Sequence, residues 1–119
     1  MVITINGKEC NVHFGIKFIR ELDKKNFLEK DGVRFGAGLE LKAPPLHSYD
    51  TVALSEILHA GTCCMEKGRP SMDDIDRYVE NYDKLEELFD EVLSELKKGN
   101  ATKLKMKQLE ENIEGKTKK

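Results

Sequence analysis

Leu85, Leu88, Phe89, Val92, Leu93 and Leu96 recur three and four residues apart among acidic side chains, so they fall on one stripe of an α-helix. Glutamates open this segment, and Lys97, Lys98 and Gly99 supply positive charge and a stop at its carboxyl end. A stripe this apolar has to be covered by other elements of the chain. The whole sequence has 119 residues and a hydrophobic fraction of 39%, which suits one modest core rather than two. With 35% charged residues, no Trp and three Pro, it is expected to be rich in helix.

The amino terminus follows a different period. Val2 to Ile5 and Lys8 to Phe14 flank Asn6-Gly7, the dipeptide best suited to the two positive φ angles of a type I′ turn. Ile3 and Ile5, then Cys10, Val12 and Phe14, alternate as in half-buried strands. Two strands are marginal alone in water, so this hairpin is expected to lie against helices.

After Gly15, Phe18, Ile19 and Leu22 predict a helix of about three turns, with Lys17–Glu21 and Glu21–Lys25 as exposed pairs four apart. Between Asp31 and Pro45, glycines and prolines interrupt Val33, Phe35, Leu39 and Leu41, and neither period fits. Ser48 or Asp50 caps a second helix with Leu54, Ile57, Leu58, Gly61 and Met65 on one face, ended by Gly68 and Pro70. Ser71 with Asp74 forms an acidic capping box for a helix carrying Ile75, Tyr78, Val79 and Tyr82, and Asp83 with Glu86 repeats the device. Beyond Gly99, Met106, Leu109 and Ile113 have helical spacing but are sparse among lysines, which fits a nascent or partner-induced helix with a frayed end from Gly115 to Lys119. The expected fold is α+β: an N-terminal β-hairpin packed on a mainly α-helical domain over residues 1–98, with a charged, partly disordered or nascent-helical tail over residues 99–119.

The net charge of −2 hides two blocks. Ten acids face only Arg77 and Lys84 between Ser71 and Leu96, whereas eight lysines face three glutamates from Lys97 onward. The acidic block repels nucleic acid, and the tail lacks the aromatic side chains that stack on bases, so no nucleic-acid partner is expected. No segment approaches the roughly twenty apolar residues needed to span a bilayer, and no leader is visible, so no membrane partner is expected either. Cys10, Cys63 and Cys64 form an odd set expected to stay reduced, and His59 with Cys63 makes half a metal site at best. Their bland reading is burial as small apolar side chains.

No catalytic constellation is visible, and no catalytic, cofactor-binding or metal residue is assigned. Gly32, Gly36 and Gly38 lack the lysine and hydroxyl of a phosphate loop, so a turn or close backbone packing explains them better. His13, His47 and His59 have no local partner in a recognised order, and adjacent Cys63-Cys64 lacks the spacer of thioredoxin-like motifs. Residue chemistry alone points to an interaction module.

Several segments in order resemble the tail assembly chaperones of long-tailed phages infecting Gram-positive bacteria. They are Ile3-Thr4-Ile5-Asn6-Gly7-Lys8, then Phe14-Gly15-Ile16-Lys17-Phe18-Ile19-Arg20-Glu21-Leu22, then Gly36-Ala37-Gly38-Leu39. The run Leu54 to Thr62, the triplet Arg69-Pro70-Ser71 and the acidic helix Glu86 to Lys98 continue the likeness. The resemblance implies a non-enzymatic protein of the host bacterial cytoplasm that coats and solubilises the tape measure protein and helps recruit major tail protein. It implies many copies, hence a homo-oligomer, and absence from the mature virion.

Val33, Phe35, Leu39 and Leu41 are the candidate partner-binding residues, because no amphipathic element accounts for their burial. Closure of the core by the same side chains is the competing reading. A small acidic regulatory adaptor masking a basic partner, of antitoxin or anti-repressor type, is the alternative function.

Overall fold

The computed structural model describes residues 1–117, with side chains as far as Asn112. Strands β1 (Val2–Ile5) and β2 (Lys8–Asn11) pair antiparallel around Asn6 and Gly7, whose φ angles of 52° and 77° are those of the expected turn. Ile3, Ile5, Cys10, Val12 and Phe14 are all buried. Helix α1 (Ile16–Lys25) follows at once and buries Phe18 and Leu22. Glu21 pairs with Lys24, at 2.8 Å, rather than with the residues four away.

The stretch with no readable period begins with a second hairpin. Strands β3 (Phe27–Lys30) and β4 (Val33–Gly36) pair antiparallel around Asp31 and Gly32, with φ angles of 53° and 77°. Chain direction then reverses into the short helix α2 (Gly38–Lys42) and a 3-10 turn at Pro44–Ser48. Asp23 holds this reversal: its Oδ1 accepts a hydrogen bond from the Gly38 N–H at 2.8 Å, and a side chain at Gly36 or Gly38 would collide with it. The glycines around Ala37 thus serve close backbone packing.

Helix α3 (Thr51–Gly61) is capped by Asp50, which accepts from the Ala53 N–H at 3.0 Å. Ala53, Leu54, Ser55, Ile57, Leu58, Ala60 and Gly61 are buried, so most of its circumference lies inside and it forms the centre of the core. It ends at Gly61, before the expected Gly68 and Pro70, because Thr62 and Arg69 satisfy its last carbonyls: Thr62 Oγ1 donates to the His59 carbonyl at 2.6 Å, and Arg69 donates to that carbonyl and to Thr62 Oγ1, each at 3.0 Å. Gly61 allows a close approach to the first hairpin. A Cβ there would lie 2.5 Å from Val12, and the Gly61 carbonyl accepts from the His13 N–H at 2.8 Å.

Helix α4 (Met72–Glu80) has the full Ser71–Asp74 capping box and buries Ile75 and Val79, with Tyr78 and Tyr82 half-buried. Helix α5 (Leu85–Lys98) buries Leu88, Phe89, Val92, Leu93 and Leu96 as its stripe predicts. Its start differs from expectation: Lys84 is the N-cap and no side chain caps it, so Asp83 falls outside the first turn. Packing continues past residue 98. Helix α6 (Lys103–Thr117) places Met106 in the core at 1% exposure, and the buried Thr102 hydroxyl ties the connection to the Leu96 carbonyl. The side chain of Ile113 and the last two residues of the expected frayed end lie outside the described residues. Among those described, no helix is long and apolar enough to cross a membrane.

Candidate functional site

Register decides which side chains the second hairpin shows. Leu28 faces Phe35 across the ladder and Lys30 faces Val33, so these four share one face, while Phe27, Glu29, Arg34 and Gly36 share the other. The second of these faces turns towards the body. Gly36 packs on Asp23, and the Arg34 guanidinium lies 3.5 Å from the centroid of the half-buried Phe27 ring. On the first face Leu28, Val33 and Phe35 stay 57%, 52% and 53% exposed. This face of a two-stranded sheet thus leaves three large apolar side chains open to solvent.

The four sequence-level candidates therefore separate. Val33 and Phe35 are exposed on the hairpin, and Leu41 is 43% exposed on α2. Leu39 points inward at 4% exposure and belongs to the core. Leu28 completes the face and was not among the candidates. Its signal was present in the Asp31-Gly32 dipeptide, which fixes Leu28 opposite Phe35 once the turn is recognised.

The remaining reactive side chains are structural in their surroundings. Arg69-Pro70-Ser71 joins two helices: Arg69 closes the end of α3 and Ser71 opens α4. His59, half-buried beside this joint, has its pKa held below the ordinary histidine value by burial, then by the charges of Arg69 and Lys25. Asp74 is pulled below the usual carboxylate range by the backbone N–H of Ser71 and then by its side chain. Cys10 is buried as a small apolar residue, but Cys63 is only half-buried and Cys64 is exposed, their sulfurs 3.9 Å apart. Burial pushes the Cys63 thiol up, away from the reactive thiolate. Among the described residues, no three His, Cys, Asp or Glu side chains converge as metal ligands.

Charge is distributed by element. Helices α4 and α5 carry the acidic block on their outer faces, and the lysines that follow are partly paired within the chain: Lys97 with Glu110 at 2.9 Å, Lys98 with Glu95 at 3.9 Å and Lys105 with Glu40 at 3.8 Å.

The chain thus combines a well-capped helical core with an uncovered apolar hairpin face and a charged exterior. No curated protein and no solved structure matches it. It matches the family described as phage tail assembly chaperone protein, TAC, over residues 2–111, from the first strand into α6. Tail assembly chaperones are not a class of enzymes, and their partners are components of the assembling tail. Over nearly its whole length, then, the chain belongs to the phage tail assembly chaperone family.

Proposed function

We propose that this chaperone coats and solubilises the tape measure protein in the host cytoplasm and helps bring major tail protein subunits to it. Several copies act on one client and leave before the tail is complete. The observation that carries this reading is the face formed by Leu28, Val33 and Phe35, with Leu41 beyond it, in a member of a tail assembly family. A tape measure protein is long and helical, and its apolar stripes aggregate unless covered. Small subunits that each lay an apolar face on such a stripe keep it in solution, while acids on α4 and α5 keep the coated complex apart from its neighbours.

Leu39 contributes from beneath. It fixes α2, and through α2 the position of Leu41, so its substitution tests folding rather than contact. The alternative of an acidic regulatory adaptor has only the charge of α4 and α5 behind it.

Co-expression with the tape measure protein tests the proposal. Leu28→Ser with Phe35→Ser should leave the melting temperature nearly unchanged and abolish the chaperone's ability to keep that client soluble. A folded double variant that still solubilises it would remove the hairpin face from the interface.

A further inference from the structure

Helix α6 fills a groove whose walls are α2 with the 3-10 turn on one side and α5 on the other. Among the side chains described, few groups hold it there. Met106 is fully buried and Leu109 half-buried, whereas Leu104 is 75% exposed, and lysines occupy positions 103, 105 and 107. Among the described residues, three polar contacts clamp the helix. Lys105 Nζ lies 3.8 Å from Glu40 on α2, and Glu110 Oε1 lies 2.9 Å from Lys97 on α5 and 3.9 Å from His47 on the 3-10 turn. Lys97 approaches the buried Glu110 oxygen without hydrogen-bond geometry, so this atom is shielded from water yet incompletely satisfied. Ion pairs on half-exposed side chains stabilise little.

The walls therefore recognise a helix by pattern. An acid on α2 meets a base, two apolar side chains three residues apart enter the groove, and a base on α5 meets an acid five residues beyond the first base. The geometry points to α6 as an internal placeholder: we infer that this groove receives an amphipathic helix of the client with the same order of basic, apolar, apolar and acidic side chains, and that α6 swings away to admit it. The inference rests on the coating function proposed above and names a second contact for it. The two surfaces are continuous along the chain, because α2 follows β4 directly and forms one wall of the groove. The turn from Gly99 to Thr102 is the connection about which α6 would move. The Met106 N–H bonds back to the Thr102 carbonyl and the Lys103 N–H to the Gly99 carbonyl, so α6 leaves α5 through one compact turn.

Locking and loosening α6 in the full chain tests this. In a Cys63→Ser, Cys64→Ser background, Glu40→Cys with Lys105→Cys is joined by a short bismaleimide, and binding to the tagged tape measure protein is compared before and after cross-linking. Met106→Asp loosens the helix. Lys105→Glu does so from the surface alone, by setting two acids against each other, and serves if Met106→Asp melts the fold. If α6 occupies its groove about nine-tenths of the time, loosening it should tighten client binding about tenfold, and cross-linking should weaken binding by more than that. Equal binding by the locked, free and loosened forms would overturn the groove while leaving client coating intact. Failure of every form, wild type included, to bind the tape measure protein would overturn both.

Discussion

The two hairpins are built on the same turn and have opposite fates. Asn6-Gly7 and Asp31-Gly32 take nearly identical backbone angles, and each joins two four-residue strands. The first lays its alternating apolar side chains on the core, where Gly61 lets α3 approach Val12 and Phe14. The second turns only the Phe27 side towards the body and leaves Leu28, Val33 and Phe35 outside. Turn chemistry specifies a hairpin, and the surroundings decide whether its apolar face becomes core or stays exposed.

Truncating one phenylalanine in each region should separate them most widely. Phe14 is 7% exposed and packs edge-to-face on Phe18 at 4.8 Å, so Phe14→Ala should cost roughly 3 to 5 kcal/mol in urea unfolding. Phe35→Ala removes an exposed ring and its cross-strand contact with Leu28, and should cost under about 1 kcal/mol. Equal losses would mean that the second hairpin is integral to the core and would undercut its assignment as a contact surface.

Approach of backbones gives the next effect. Gly61→Ala should destabilise by about 1 to 3 kcal/mol through the clash of its Cβ with Val12, and Val12→Ala should recover part of that loss in the double variant. A fully additive double variant would show that Gly61 matters for some other reason. No such contact constrains the exposed face of the second hairpin.

The contrast also explains what could be read in advance. Ile3, Ile5, Cys10, Val12 and Phe14 alternate because one face is buried, and the stripe of α5 repeats for the same reason. Phe27 and Leu28 are adjacent and both apolar, one turned to the body and one to solvent, so β3 has no clean alternation to mark it as a strand. Leu39 looked like its neighbours Phe35 and Leu41 because glycines hid the change from strand to helix at Gly38. The end of α3 depends on Arg69, a partner that local spacing does not display, and α5 begins at Lys84 with no side-chain cap at all. Met106 was visible as part of a sparse helix, but its burial depends on a groove assembled from α2, α5 and the 3-10 turn.

Gly7 and Gly32 permit a finer comparison, since each has a φ of 77° and open space where a Cβ would stand. Alanine is strained equally at both, by roughly 1 to 2 kcal/mol. At Gly7 the strain should appear as lost global stability, because the hairpin is tied to the core. At Gly32 the cost is limited by local opening of β3 and β4, so amide exchange in that ladder should accelerate while the unfolding midpoint moves less. An equal shift of the midpoint in both variants would contradict the independence of the second hairpin.

The smallest effect is a pH dependence at the joint that anchors the first hairpin. His59 lies two residues before Gly61, and its carbonyl is held by Arg69 and Thr62. Burial first, then the charges of Arg69 and Lys25, lowers its pKa below the ordinary 6.5, with Glu21 and the backbone at Pro70 opposing them. Above that value the imidazole is neutral in both folded and unfolded chains and contributes no slope. As pH falls below 6.5 the unfolded chain binds a proton before the folded one, so stability should decline until the lowered folded pKa is passed and then level off. His59→Gln should flatten the profile in this window while leaving the loss at lower pH to which Asp74 and Glu21 contribute, which begins below the unfolded carboxylate pKa and continues as pH falls through their lower folded values. Urea titrations of both proteins across mildly acidic pH measure the difference. An unchanged slope in the variant would assign the mild-acid loss to other groups and remove His59 as a determinant of how firmly the end of α3 holds the first hairpin.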